Sequence, residues 1–335
     1  MPVKLAINGF GRIGRGVLRA WIETGRDDVE IVAINDLAPI ETNAHLLSFD
    51  SVHGHLNADV SVDGDILEVD GRRIRVSAER DPANLAWDGV DVALECTGVF
   101  KSREKASAYL QNGSGRVLIS APGEGADQTI VFGVNHQILG AGDLIVSNAS
   151  CTTNCLAPIA KVLDDAFGIE TGYMTTIHAY TGDQPTLDRA HRDLYRARAA
   201  AMSMIPTSTG AARAVGLVLP HLQGRIDGSA IRVPTPNVSL VDFSFMPTRP
   251  ATAGAVNRAA QEASASGPLR GVLATSDLPL VSCDFNHNPY SSVLATAQTH
   301  VGDGGMVRVL CWYDNEWAFA NRMLDTSLAM AATVS

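Results

Sequence analysis

The sequence contains no run of apolar residues approaching the roughly 18 needed for a helix to cross a bilayer, so no helical membrane span is expected. Positive charge is scarce. Across 335 residues, 26 Lys and Arg stand against 36 Asp and Glu, a formal net charge of −10. A chain of that sign does not gather phosphate backbones by bulk electrostatics, so nucleic acid is not an expected partner. The polybasic patch of a membrane-surface protein is missing too. There is no CxxC pair. Cys96, Cys151, Cys155, Cys283 and Cys311 are odd in number and scattered, which argues against a structural zinc site or a disulfide framework; no metal is expected. His53-Gly-His55 reads as a surface loop. The chain opens Met-Pro-Val-Lys-Leu-Ala-Ile-Asn-Gly and enters a strand directly, without a signal-peptide pattern. Free thiols with such a start point to the reducing cytoplasm. Internal repeats and low-complexity segments are absent.

Against these absences, 46% hydrophobic and 19% charged residues make an ordinary globular composition. The length is that of two domains. Val3 to Asn8 is a short apolar strand ending at Gly9. Gly11 to Thr24 has helical spacing, with Ile13, Val17, Leu18 and Trp21 on one face, and Val29 to Asn35 is a second strand. Together they form a βαβ unit. Asp91 to Thr97 and Arg116 to Ser120 read as further buried strands around a helix near Ser102 to Gln111. Asp59 to Val76 alternates apolar and polar residues with Asp63-Gly64 and Asp70-Gly71 turns, which predicts inserted antiparallel hairpins.

The pattern changes after Asn148. A helix is expected from Ser150 or Cys151 towards Phe167. Long strands follow at Tyr173 to His178, Arg225 to Val233, Val238 to Met246 and Met306 to Tyr313. Helices are expected at Thr209 to Leu219, Thr252 to Ala263 and Asn315 to Ala332. The expected fold class is α/β: an N-terminal Rossmann-type dinucleotide-binding domain plus an α+β catalytic domain with a mainly antiparallel sheet. The expected boundaries are 1–150 with 316–335 for the first, its C-terminal helix returning to it, and 151–315 for the second. Tyr180 to Met204 is long, charged and aperiodic, the mark of a functional or partner-stabilised loop.

Gly9-Phe10-Gly11-Arg12-Ile13-Gly14 matches GxGxxG. It follows a strand, opens a helix, and precedes Asp36 at the end of the second strand. That context makes it a dinucleotide-binding signal. Gly9 permits the tight turn, Gly11 lets backbone approach a pyrophosphate, and Gly14 lets helix pack on strand. The helix N-terminus offers N–H groups to the anion. Asp36 accepts from ribose hydroxyls and repels a 2′-phosphate, which favours NAD over NADP.

Cys151 lies at a helix start just after an apolar strand. Two readings stand: an inert buried thiol, or a reactive one whose pKa falls from about 8.5 to roughly 4–7 through the helix dipole. Cys155, one turn on, reads as packing or an oxidation partner. Cys96, Cys283 and Cys311 sit in apolar contexts and read as core. His178 ends a strand and opens a polar loop, where it faces a cleft or is structural. Arg196, Arg198 and Arg232 add cations nearby. Thr207-Ser208-Thr209-Gly210 ahead of a helix is either an anion site or a cap.

Over essentially its full length, the chain resembles phosphorylating glyceraldehyde-3-phosphate dehydrogenases. The matching motifs are Ile7 to Arg15, Ile34-Asn35-Asp36, Ser147 to Cys155, Thr175-Thr176-Ile177-His178, Pro206 to Ala212, Arg232 to Val238 and Trp312 to Trp317. The block Ser150-Cys151-Thr152-Thr153-Asn154-Cys155 is highly specific. The resemblance implies that Cys151 is the nucleophile and His178 its base and later acid. It assigns the phosphates to Ser150, Thr152, Thr181, Arg196, Thr209, Gly210 and Arg232. With the glycines, Arg12, Ile13, Asp36, Arg80, Ser120 and Asn315 would hold NAD, Asn315 at the nicotinamide amide. The implied partners are a phosphorylated aldehyde and inorganic phosphate, and the implied assembly is a homotetramer with Tyr180 to Met204 as an inter-subunit loop. The implied reaction runs through a hemithioacetal and a thioester on Cys151, which phosphate resolves.

Two segments depart from that pattern. Asp284 to His287 and Trp317 to Asp325 look like erythrose-4-phosphate dehydrogenases, whose thioester is resolved by water. The phosphate-site segment Pro206 to Ala212 looks like the triose enzymes and carries more weight, because it touches the anion. Arg189-Ala190 replaces the Leu-Pro frequent in NAD-specific members, whereas Leu37 after Asp36 resembles them. A thiol redox sensor or binding protein on the same fold is the reading from another class; intact Cys151, His178 and Arg232 argue against it.

Overall fold

A computed structural model describes residues 1–333. The last two residues of the expected 316–335 segment lie outside the described residues. The chain divides into two compact units, one of residues 1–132, 136–150 and 319 onward, the other of residues 133–135 and 151–318.

The first unit is built on the opening strand. β1 (Val3–Asn8) leads through α1 (Arg12–Glu23) to β2 (Val29–Asn35), which pairs with β1 in parallel. Then come α2 (Ile40–Ser48), the small ribbon β3 (Phe49–Asp50) and β4 (Gly54–His55), and the strands β5 (Val60–Asp63), β6 (Ile66–Val69) and β7 (Arg72–Ser77). β8 (Val92–Glu95), α3 (Arg103–Ala106), α4 (Ala108–Gln111), β9 (Arg116–Ile119), β10 (Gln128–Thr129) and β11 (Ile145–Ser147) complete the alternating part. The sheet order is β10-β11-β9-β8-β1-β2-β7-β6-β5. It is parallel from β10 to β7; β5 and β6 form the inserted antiparallel hairpin. The helix expected near Ser102 to Gln111 is two short pieces broken at Ser107, whose hydroxyl donates to the Glu104 carbonyl. A side chain that bonds local backbone in this way competes with the helix.

α1 buries Val17, Leu18 and Trp21, as its spacing requires. It also buries Arg19, at 1% exposure, whose guanidinium donates to the carbonyls of Leu47 and Gly54. Under the strand ends lies a polar layer. Glu95 is fully buried and accepts from the backbone of Thr97 and Gly98, from the Tyr109 hydroxyl and from Asn8. Asn35 donates to Asn8 and to the Glu79 carbonyl. A buried carboxylate without such partners would be costly.

The second unit starts with α5 (Cys151–Phe167) and β12 (Ile169–Ala179). It continues through β13 (Ile205–Thr207), α6 (Ala211–Val218), β14 (Ile226–Val233), β15 (Ser239–Pro247), α7 (Ala253–Ala265), β16 (Leu273–Ser276), β17 (Ser292–Ala295), β18 (His300–Val301) and β19 (Val307–Tyr313). The sheet order is β13-β14-β12-β15-β19-β17-β16, with β18 on β19. Antiparallel pairing dominates. The exceptions are β12 with β14 and β16 with β17, which are parallel. Parallel neighbours need a crossover, and residues 180–225 with α6 supply it between β12 and β14. α5 packs on the sheet and touches α6 and α7, burying Leu156, Ile159 and Leu163. The last helix, α8 (Trp317–Ala332), is capped at its start by Asp314, whose carboxylate accepts from the Glu316 and Trp317 amides. Its later turns belong to the first unit, where Ala320 lies against Gly16 of α1 and Arg26 pairs with Asp325.

Candidate active site

The C-terminal ends of the parallel strands in the first unit open on a cleft of about 430 Å³. Asn8, Gly9, Gly11, Asn35, Asp36, Leu37, Arg80, Cys96, Thr97 and Phe100 are among its lining residues. Gly9 has φ +91, and a Cβ there would lie 2.7 Å from the Thr97 amide nitrogen. A Cβ on Gly14 would lie 2.1 Å from the Gly9 carbonyl oxygen. Gly11 is the opposite case: no protein atom lies within 4 Å of its would-be Cβ, and it lines the cleft. Asp36 accepts from the Phe10 amide at 2.7 Å and the Ala38 amide at 2.9 Å, so both oxygens are fixed at the cleft edge. The bare backbone at Gly11 and the anchored Asp36 fit the pyrophosphate and ribose of a dinucleotide. Ile13 is half-buried in the first turn of α1 and Ser120 lies just past β9. Arg12 is also in that first turn, ion-paired to Asp50.

In the second unit, α5 begins at Cys151 and β12 ends beside it. Cys151 Sγ is 3.5 Å from His178 Nε2. His178 Nδ1 lies 2.7 Å from the Ala179 carbonyl. As the N–H donor of that bond, Nδ1 leaves the Nε2 lone pair facing the thiol. Arg232 stands opposite His178 in the parallel register of β12 and β14. Its Nη1 donates to the Ala179 carbonyl at 2.9 Å and to the Thr181 hydroxyl at 3.1 Å. Burial, and then the Arg232 charge, lower the His178 pKa to about 3.

Of the two readings of Cys151, the surroundings of the thiol do not favour the lowered pKa. Burial pushes the thiol up, outweighing the pull of Arg232, the Thr152 hydroxyl and the backbone N–H groups. The helix terminus is there, but desolvation of the thiolate is the larger effect. Both shifts favour the neutral forms of thiol and imidazole.

The residues expected to bind anions separate into groups. Thr181 donates to Asp183, and Arg196 bonds Asp183 at 2.9 Å and Thr207 at 3.0 Å. Arg232 Nε is buried without a hydrogen-bond partner, a donor suited to an oxyanion. The Thr209 hydroxyl accepts from the Ala211 amide, and Gly210 is the N-cap of α6. The Thr152 hydroxyl is buried against the Tyr313 hydroxyl at 2.9 Å. Ser150, partly exposed, precedes Cys151. Asn315 is buried and accepts from the Ser239 hydroxyl at 2.8 Å.

Among the other cysteines, Cys155 and Cys311 are core. Cys96 is instead half-buried and lines the dinucleotide cleft, because its strand ends there. Cys283 is exposed: the turn Ser282–Phe285 turns Phe285 inward onto Trp312 and leaves the thiol outside. Asp183, Thr97 and Ser239 escape the sequence reading. Only their spatial neighbours mark them.

Residues 3–103 match the glyceraldehyde 3-phosphate dehydrogenase NAD binding domain, and residues 150–315 match the glyceraldehyde 3-phosphate dehydrogenase C-terminal domain. Glyceraldehyde-3-phosphate dehydrogenase of Cereibacter sphaeroides is 65% identical over 330 residues, 98% of this chain and 99% of the relative. That of Xanthobacter flavus is 64% identical over 332 residues, with 98% and 99% covered. Glyceraldehyde-3-phosphate dehydrogenase 1 of Bacillus subtilis is 54% identical over 334 residues, with 99% of each covered. With both family domains matched in order and relatives this similar from end to end, the chain belongs to the glyceraldehyde-3-phosphate dehydrogenase family.

Proposed function

We propose that this protein catalyses the phosphorylating oxidation of D-glyceraldehyde 3-phosphate to 1,3-bisphosphoglycerate through a Cys151 thioester, with NAD as cofactor. The observation that carries the reading is the thiol–imidazole pair, with Cys151 Sγ 3.5 Å from His178 Nε2. His178 takes the thiol proton as Sγ attacks the aldehyde carbon, forming a hemithioacetal. The Cys151 backbone N–H, at the start of α5, and the protonated imidazole stabilise the oxyanion. Bound NAD supplies the acceptor for the hydride whose departure leaves the thioester. Inorganic phosphate then attacks the acyl carbon, and Cys151 leaves as the thiol.

Arg232, with its unpartnered Nε, and Thr181, Arg196, Thr209, Gly210 and Ser150 hold the substrate phosphate and the attacking phosphate. Gly9, Gly11, Arg12, Ile13, Gly14, Asp36, Arg80 and Ser120 hold the dinucleotide, and Asn315 takes its amide. The tetrose alternative is not favoured, since the relatives above carry the triose name.

The homotetramer implied by the family resemblance is supported by the loop 180–204, which exposes Leu187, Leu194, Tyr195, Met202 and Met204, an apolar set suited to a subunit contact. Five free cysteines accord with the cytoplasm.

The test is reduction of NAD with glyceraldehyde 3-phosphate and with erythrose 4-phosphate, each with and without inorganic phosphate. Phosphate-dependent turnover that favours the triose is expected. Preference for the tetrose without a phosphate requirement would overturn the substrate assignment.

A further inference from the structure

The strand β15 starts abnormally. Val238, just before it, has φ +67, a left-handed conformation that a β-branched side chain strongly disfavours. Strain of this kind persists only where surrounding bonds impose it. The neighbours supply those bonds. Asn237 Nδ2 lies 2.8 Å from both Asp314 Oδ2 and Asn286 Oδ1. Ser239, 1% exposed, accepts from the Ala179 amide at 3.0 Å and donates to Asn315 Oδ1 at 2.8 Å. The Asn237-Val238-Ser239 kink thus pins the two consecutive residues Asp314 and Asn315 that follow β19.

The Ser239 hydroxyl stands where a ladder bond would fall. β12 and β15 exchange backbone bonds as far as Ile177 opposite Leu240. Beyond that point the kink takes the backbone of β15 away, and the hydroxyl receives the next inward N–H, that of Ala179. An amide N–H only donates, so Ser239 Oγ is the acceptor there and its single proton remains for another group. That group is Asn315 Oδ1. A flipped Asn315 amide would leave this buried proton without an acceptor, a costly state.

We infer that Ser239 is a positioning residue for the dehydrogenase reaction: it fixes which face of the Asn315 amide meets the cofactor. This rests on the function proposed above. With Oδ1 held by Ser239, Nδ2 is the group left to bond the nicotinamide carboxamide. The same hydroxyl ties Asn315 to the Ala179 peptide, whose carbonyl orients His178. The Asn315 amide and the His178 imidazole therefore share one rigid reference.

The test is a double-mutant cycle of Ser239→Ala and Asn315→Ala in the full-length protein, with Ser239→Thr as rescue. NAD affinity is read by titrating tryptophan fluorescence without substrate, and kcat and KM by turnover. Ser239→Ala should weaken NAD binding about fivefold and lower kcat about tenfold, with the KM for the aldehyde within twofold. Ser239→Thr should recover most of both losses. In the Asn315→Ala background Ser239→Ala should not weaken NAD binding further, while the part of the kcat loss that runs through Ala179 and His178 remains.

Equal losses of NAD affinity in both backgrounds would overturn the inference, since Ser239 would then act on the cofactor independently of Asn315. So would wild-type NAD affinity and kcat in Ser239→Ala. Should Ser239→Ala fail to fold by circular dichroism, Ser239→Cys replaces it in the cycle with the same criteria. An inactive wild-type protein would instead strike at the proposed function.

Discussion

His178 and Arg232 meet side by side at the ends of two parallel strands, with Arg232 Nη1 3.1 Å from His178 Nδ1 and both nitrogens directed at the Ala179 carbonyl. One cation thereby acts on both members of the thiol–imidazole pair. It opposes protonation of His178, and it stabilises the Cys151 thiolate against burial. A buried guanidinium is suited to this work because it stays charged over the whole working pH range.

Arg232→Gln should therefore raise the apparent pKa of the Cys151 thiol and slow its alkylation near neutral pH. Loss of the anion contact should also cut kcat/KM for the phosphorylated aldehyde by about 10- to 100-fold. Iodoacetamide inactivation rates across pH 5–10 check the first point. An unshifted profile would mean that Arg232 serves the phosphate alone.

The depressed His178 pKa has a consequence for folding. The unfolded imidazole titrates near 6.5 and the folded one near 3. Between those values the unfolded chain binds a proton that the native chain refuses. Stability from this group is full above about pH 6.5 and falls as pH falls, by up to about 1.4 kcal/mol per pH unit. From pH 7 to pH 5 the wild type should lose about 2 kcal/mol more than His178→Asn. Urea titrations at the two pH values measure it, and parallel losses in both proteins would refute the buried neutral state.

Much of this site is legible in the residues themselves. The βαβ opening, Asp36, and the Cys151 helix start follow from local period and punctuation, because each is set within a few residues. The Thr152–Tyr313 contact and the burial of Arg19 are long-range and leave no local trace. The direction of the Cys151 shift is hidden for the same reason. A helix terminus is visible in sequence, but the desolvation that outweighs it depends on what packs above. The parallel pairing of β12 with β14, which brings Arg232 to His178, is likewise a product of the crossover and not of either strand.

Gly11 and Gly14 sit three residues apart and should fail in different ways. Gly14→Ala drives a methyl to 2.1 Å from a backbone oxygen, and should cost about 1–3 kcal/mol of stability. Gly11→Ala meets no protein atom. It should unfold within about 1 kcal/mol of wild type yet bind NAD at least about tenfold more weakly, its methyl occupying pyrophosphate space. Denaturation and cofactor titration of both variants separate the two effects. Matching NAD affinities in Gly11→Ala and the wild type would remove Gly11 from the cradle.

Cys151→Ser replaces a thiol by a hydroxyl that His178 cannot deprotonate readily. Turnover should fall by about a thousandfold or more. NAD binding, proposed for the cleft lined by Gly9, Gly11 and Asp36, should stay within about twofold of wild type, since no residue of that cleft changes. Near-normal turnover would overturn the thioester route.

In the proposed reading Asp36 carries the choice of cofactor. Its two oxygens are anchored by the Phe10 and Ala38 amides at 2.7 and 2.9 Å, so the carboxylate cannot swing aside for a larger ribose substituent. Each oxygen keeps acceptor capacity for a ribose hydroxyl, and its charge opposes a 2′-phosphate. Asp36→Ser removes the charge and shortens the side chain while retaining a polar group. NAD should bind roughly tenfold more weakly through the lost ribose bonds. The ratio of kcat/KM for NADP to that for NAD should rise by about 10- to 100-fold, because the repulsion disappears as the favoured contact is lost. Steady-state kinetics with both cofactors at fixed ionic strength give the ratio directly. An unchanged ratio, with weaker binding of both, would show that discrimination lies elsewhere; Arg189, in the loop that ends with Met204, would then be the next residue to replace.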